Sequence, residues 1–166
     1  AASELRTIPD PATPPAGTTV VRCAALSCDG TLVAALGADR QVRIYSADDG
    51  AEVAAFPLER SPRVNMAFSP DARMLAVAHS SLTDEGMLGT ITLYDVAAKK
   101  ILTTKTLRAP LFAHALVFSP DGKSLALGTD EALFLWDTQK WQPVCEVKAK
   151  LYYPDSVVFT PDSAMV

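Results

Sequence analysis

Positive charge is scarce in this sequence: 15 lysines and arginines stand against 19 aspartates and glutamates, for a net charge of -4 and a pI near 5.1. No broad field attractive to a phosphate backbone can arise from that balance, so nucleic acid is not an expected partner. Long apolar stretches are missing too. A membrane-spanning helix needs about 18 consecutive apolar residues, whereas runs such as Leu32 to Leu36 have the length of a strand, and no membrane partner is expected. The three cysteines, Cys23, Cys28 and Cys145, are odd in number and match neither a disulfide framework nor a zinc motif. They read as small packing residues, which favours a reducing compartment such as the cytoplasm without fixing the location. The two histidines, His79 and His114, have no Cys, Asp or Glu beside them at ligand spacing. Nucleophile elbows, phosphate-binding glycine loops and dinucleotide fingerprints are absent. The expectation is a protein with no catalytic residues, no cofactor and no metal. The chain opens Ala1-Ala2-Ser3 without methionine, which leaves open an expression remnant, a cleaved leader or a cut inside a longer protein.

What is present is a repeat. With 166 residues, 49% of them hydrophobic, the chain can bury a core, and one short signature recurs through it: Ser27-Cys28-Asp29-Gly30, Ser69-Pro70-Asp71-Ala72, Ser119-Pro120-Asp121-Gly122 and Thr160-Pro161-Asp162-Ser163. Successive aspartates stand 42, 50 and 41 residues apart, close to the period of four-stranded propeller blades. The signature is turn chemistry: proline presets φ, aspartate bonds back to the backbone, and glycine tolerates positive φ. Its aspartates are therefore expected to be turn formers and not a catalytic carboxylate set.

An apolar strand precedes each turn and a second follows it, at Thr31 to Gly37, Met74 to His79 and Leu125 to Thr129. A third strand alternates with period two, pairing Val42 with Ile44, Ile91 with Leu93 and Leu133 with Leu135 on one face. It ends in an aromatic, Tyr45, Tyr94 or Trp136, and a fourth strand follows a short polar turn. In the middle repeat about seven extra residues, within Ser80 to Gly89, delay the third strand. The expected fold class is all-β: propeller blades of four antiparallel strands, about three complete, with partial blades at both ends. The expected boundaries are an outer strand of a preceding blade and a Pro-rich connection at 1–18, blade 1 at 19–60, blade 2 at 61–109 with its insertion at 80–89, blade 3 at 110–150, and the start of a further blade at 151–166.

These residues resemble the WD-repeat family, whose blades carry a Ser-Pro-Asp-Gly turn after the first strand and end the third in Trp-Asp. Trp136-Asp137 matches fully, Tyr94-Asp95 closely and Tyr45-Ser46 weakly. The family's Gly-His pair is missing from every repeat, which implies that its buried Asp-His-Ser/Thr-Trp network cannot be assembled and that the blades rely on apolar packing. Family rings usually have about seven blades, so the resemblance implies a piece of a longer propeller or one completed by self-association with other chains.

The function the resemblance implies is a non-enzymatic scaffold that binds proteins or peptides; the alternatives are a propeller domain that recruits or gates substrate for a larger enzyme, and an isolated fragment that assembles with other chains. In an up-and-down blade, strand one-to-two and three-to-four turns leave at one end, and all other connections leave at the opposite end. That second end collects Glu59 to Arg63, Ser80 to Gly89, Arg108 to Phe112 and Lys150 to Pro154. Arginines and large apolar residues are enriched at interface hot spots. The expected partner-binding residues are accordingly Arg60, Arg63, Asp84, Glu85, Met87, Leu88, Arg108, Phe112, Tyr152 and Tyr153, with the competing reading that the aromatics begin strands and fill the core.

Overall fold

The computed structural model describes residues 21–59, 61, 63–83, 86–107, 113–148 and 156–164; for 81–83, 86 and 87 it describes the backbone alone. Among the described residues there are twelve strands and no helix. They form three separate antiparallel sheets of four strands, each in chain order. Blade 1 comprises β1 (Cys23–Leu26), β2 (Leu32–Leu36), β3 (Gln41–Ser46) and β4 (Glu52–Pro57). Blade 2 comprises β5 (Val64–Phe68), β6 (Met74–Thr83), β7 (Gly86–Asp95) and β8 (Lys100–Leu107), and blade 3 comprises β9 (Ala113–Phe118), β10 (Ser124–Thr129), β11 (Ala132–Asp137) and β12 (Gln142–Lys148).

Blade 2 is a sheet with two buried faces. Leu75, Val77 and Tyr94 join Met66 and Phe68 against Ala34, Leu36, Val42, Ile44 and Phe56 of blade 1. The alternate residues of the same strands, Ala76, Ala78, Ile91 and Leu93, meet Phe118, Leu125, Leu127 and Trp136 of blade 3. Period-two alternation therefore feeds two different interfaces from one strand, which is why β6 is apolar without a break from Met74 to Ala78. The first strands β1, β5 and β9 lie side by side, and the Asn65 amide crosses from β5 to donate to the Ala113 carbonyl at 2.7 Å.

All four signature turns are built alike. The Ser27, Ser69 and Ser119 hydroxyls each donate to the aspartate two residues on at 2.6 Å and accept the backbone N–H five residues on at 2.9 to 3.0 Å. Thr160 donates to Asp162 at 2.6 Å in the same way. The fourth residue is left-handed throughout, with φ of 74° at Gly30, 57° at Ala72, 72° at Gly122 and 61° at Ser163, so glycine is the unstrained choice there. Three of the turns also touch one another at one end of the blades: a Cβ on Gly122 would sit 3.5 Å from the Pro70 ring, and the Asp121 N–H donates to Ser163 Oγ at 3.1 Å.

Hydrogen bonding from Ser69, the largest influence, together with the Arg73 N–H and side chain, holds the Asp71 carboxyl below its ordinary value of 3.8. A depressed carboxylate stabilises the fold fully above that ordinary value and loses the contribution as pH falls through the lower, folded one. Replacing Ser69, which is 1% exposed, with alanine removes one of the donors to Asp71 and leaves the Met74 N–H without its acceptor. The expected loss is about 1–3 kcal/mol, a fall in midpoint of roughly 2–4 °C per kcal/mol for a chain of this size, with a shallower decline in stability below pH 4. Calorimetry from pH 3 to pH 7 checks both; an unchanged midpoint at pH 7 would show the hydroxyl to be dispensable.

The insertion in blade 2 departs from the expected loop. Residues 80–83 and 86–89 continue the β6–β7 ladder, with Ser80 opposite Gly89, Ser81 opposite Leu88, Leu82 opposite Met87 and Thr83 opposite Gly86. Threonine and leucine in register prolong the pairing, so the extra length becomes a projecting two-stranded rib.

Candidate recognition face and the groove beside it

The three aromatics that close the third strands are all buried: Tyr45 at 7% exposure, Tyr94 at 2% and Trp136 at 4%. Each stands at a bulge in the ladder to the fourth strand, between Ile44 and Tyr45, Leu93 and Tyr94, and Leu135 and Trp136. The polar residue after the aromatic then closes the next turn. The Asp95 carboxylate accepts the Ala98 N–H at 2.7 Å, and Asp137 accepts those of Gln139 and Lys140 at 2.8 Å each. The Lys140 and Gln139 bonds hold Asp137 below the usual carboxylate range. These carboxylates, like those of the signature turns, are occupied by backbone N–H groups.

The opposite end is tied together differently. The Leu58 N–H donates to the Arg40 carbonyl at 2.8 Å, so the end of blade 1 closes on its own β2–β3 turn. The Ser61 hydroxyl donates to the Arg63 carbonyl at 2.5 Å and accepts the Ser80 N–H at 2.9 Å. That pair of bonds clamps the connection between blades 1 and 2 to the base of the rib. On the blade 3 side, buried His114 pairs through Nε2 with the Asp130 carboxylate in the β10–β11 turn, and its Nδ1 lies 3.4 Å from the Arg63 guanidinium. One contact of the kind the family network uses does form, from a different position. A histidine inside the first strand, not one preceding it, reaches the turn aspartate, and an arginine from the neighbouring blade completes the cluster. Thr129 spends its hydroxyl locally on Ala132 O (2.8 Å) and Ala132 N–H (3.1 Å), and the Trp136 indole N–H is buried without a partner among the described residues. The full Asp-His-Ser/Thr-Trp network is thus not formed in this blade.

Of the expected partner-binding residues, Arg63 is exposed at this end and Leu88 is half-buried on the rib. Met87 is placed by its backbone in β7, opposite Leu82. Arg60, Asp84, Glu85, Arg108, Phe112, Tyr152 and Tyr153 lie outside the described residues. Sequence reasoning missed a groove of about 360 Å³ next to Leu88, between the end of β4 and the outer half of blade 2. Its signal was nevertheless in the sequence: Thr90, Thr92, Thr104 and Thr106 alternate along two paired strands and put hydroxyls on one side of the sheet. His79 lines this groove, buried, with its pKa pushed down by desolvation and partly restored by the Glu59 carboxylate.

The family model of the WD domain, G-beta repeat, matches residues 11–46. Over those residues the chain is similar to a WD repeat, and its sheets are β-propeller blades. Two solved structures, titled "Structure of U3-55K" and "Crystal structure of RRP9 WD40 repeats", are each similar to it with a TM-score of 0.64 over 80% of this chain at 16% identity. The chain spans 40% of the length of each of these structures, and at that identity the likeness is one of fold. Comparison with curated proteins finds no match. In a propeller fold the signature turns, the buried third-strand aromatics and the turn-closing Asp95 and Asp137 serve as scaffold.

Proposed function

We propose that this WD-repeat chain is a non-catalytic scaffold that docks protein or peptide segments on the end of the blades carrying the long connections. The observation that carries the reading is the rib. Paired backbone of residues 80–83 with 86–89 extends one blade's ladder beyond those of its neighbours at that end, and the Ser61–Ser80 bond anchors its base. A rigid projection beside an exposed arginine offers a docking edge at small entropic cost to the complex. The aspartates of the signature turns, being engaged with backbone at the other end, support a scaffold reading over a carboxylate-based chemistry.

Shortening the rib tests this. Replacing Leu82–Met87 with a two-residue Asn-Gly turn leaves the Ser81–Leu88 pair to close a tight hairpin. The shortened chain is expected to keep its thermal midpoint within a few degrees, because no residue of either core cluster is removed. It is expected to lose proteins that the parent chain retains when both serve as bait in an extract of the source organism. Identical retained sets, with both baits folded by circular dichroism, would sink the assignment of this end.

A further inference from the structure

The groove between blades 1 and 2 has a composition that a spare interblade gap does not need. Propeller blades diverge away from the inner strands, and here the outer part of blade 2 lines the gap with a two-by-two array of hydroxyls, Thr90 opposite Thr106 and Thr92 opposite Thr104. Thr90 is 8% exposed and Tyr94 2%, and both line the groove. Neither hydroxyl makes a hydrogen bond among the described residues, so both are available to an occupant of the groove. Thr92 and Thr104 share one long contact of 3.4 Å. The far wall is Pro57, Leu58 and Glu59, with Leu88 and Ile101 adding apolar surface.

Charge distinguishes the possible occupants. Glu59 is the charged residue of the lining, no lysine or arginine lines the groove among the described residues, and burial favours the neutral imidazole of His79. The lining thus offers one carboxylate and several hydroxyl oxygens as acceptors, and its apolar walls suit a hydrocarbon stem. We propose that this groove receives a basic side chain, arginine in preference to lysine, from an extended segment of a partner protein. The guanidinium carries five N–H donors and no acceptor, and its planar fork spans a carboxylate and neighbouring hydroxyls at once. Its methylene stem lies against Leu58, Leu88 and Ile101, as long cationic side chains do on apolar surface. This site is separate from the tip of the rib, and the rib-shortened chain retains its whole lining.

The test uses the full chain with methyl-labelled threonine and leucine, titrated with acetyl-Ala-Val-Arg-Val-Ala-amide and with the same peptide carrying neutral citrulline or glutamate in place of arginine. The arginine peptide is expected to shift the Thr90, Thr92, Thr104 and Leu88 methyl signals. Citrulline is expected to bind about tenfold more weakly, since a charge-assisted bond is lost, and glutamate not at all. Glu59→Gln, at an exposed position that leaves the fold intact, is expected to bring the arginine peptide down to the citrulline level, and Thr90→Val to weaken it further. Equal affinity for the arginine and citrulline peptides, or no effect of Glu59→Gln, overturns the proposal. So do groove shifts that grow with protein concentration in the absence of peptide, which would make a second copy of the chain the occupant.

Discussion

Trp136→Ala is expected to lower the stability of this chain by about 3–5 kcal/mol, while Trp136→Phe costs less than about 1 kcal/mol. The indole is 4% exposed and packs in the cluster that joins blades 2 and 3, opposite Leu125 on β10 and Pro143 on β12. Alanine removes the largest side chain of that cluster and leaves a cavity whose walls belong to two sheets, so neither sheet can collapse into it without losing its own register. Phenylalanine forfeits part of the burial, but it also removes a buried N–H that has no acceptor among the described residues, a desolvation cost of roughly 1–3 kcal/mol. The two effects nearly offset. The tyrosines at the equivalent places in blades 1 and 2 show that a single six-membered ring fills such a slot. Urea unfolding followed by far-UV circular dichroism separates the variants. Should phenylalanine cost as much as alanine, the indole N–H has a partner in solution.

The second large effect concerns the independence of the two interfaces. Leu75 and Leu125 are both fully buried, Leu75 in the cluster between blades 1 and 2 and Leu125 in that between blades 2 and 3. Each Leu→Ala change is expected to cost about 2.7–5 kcal/mol through the cavity it leaves. With no shared side chain between the clusters, the two are expected to add within about 0.5 kcal/mol. Their total, about 5–10 kcal/mol, is comparable with the whole stability of a typical domain, so the double variant is expected to lack a cooperative urea transition at 25 °C while each single variant retains one. A double variant no less stable than the worse single one would mean that the blades do not unfold as a linked series.

Much of the architecture could be read before any coordinates. The four Asp-centred turns carry their own hydrogen-bond partners within five residues, and local chemistry of that kind is complete in the chain itself. Strand boundaries in blades 1 and 3 followed for the same reason, since a turn at each end leaves little choice of register. The rib was harder. A stretch such as Ser80-Ser81-Leu82-Thr83 reads as loop by its polarity, and its pairing with Gly86 to Gly89 depends on the ladder already running from Met74 to His79. The His114–Asp130–Arg63 cluster was illegible because its members come from β9, the β10–β11 turn and the preceding blade's connection. The groove was half-legible: the threonine alternation was visible, while the wall facing it comes from another sheet.

Taken alone, the order of amino acids determined that this protein is a series of four-stranded sheets with turns of one design, because period-two alternation and Asx-type turns are settled by contacts a few residues long. Tertiary structure decided which face of each sheet meets which neighbour, that the rib is paired and not looped, and that Thr90, Tyr94 and Glu59 share one groove. Those outcomes depend on the angle at which successive sheets stack and diverge, a quantity set jointly by side chains more than thirty residues apart and written in no single segment.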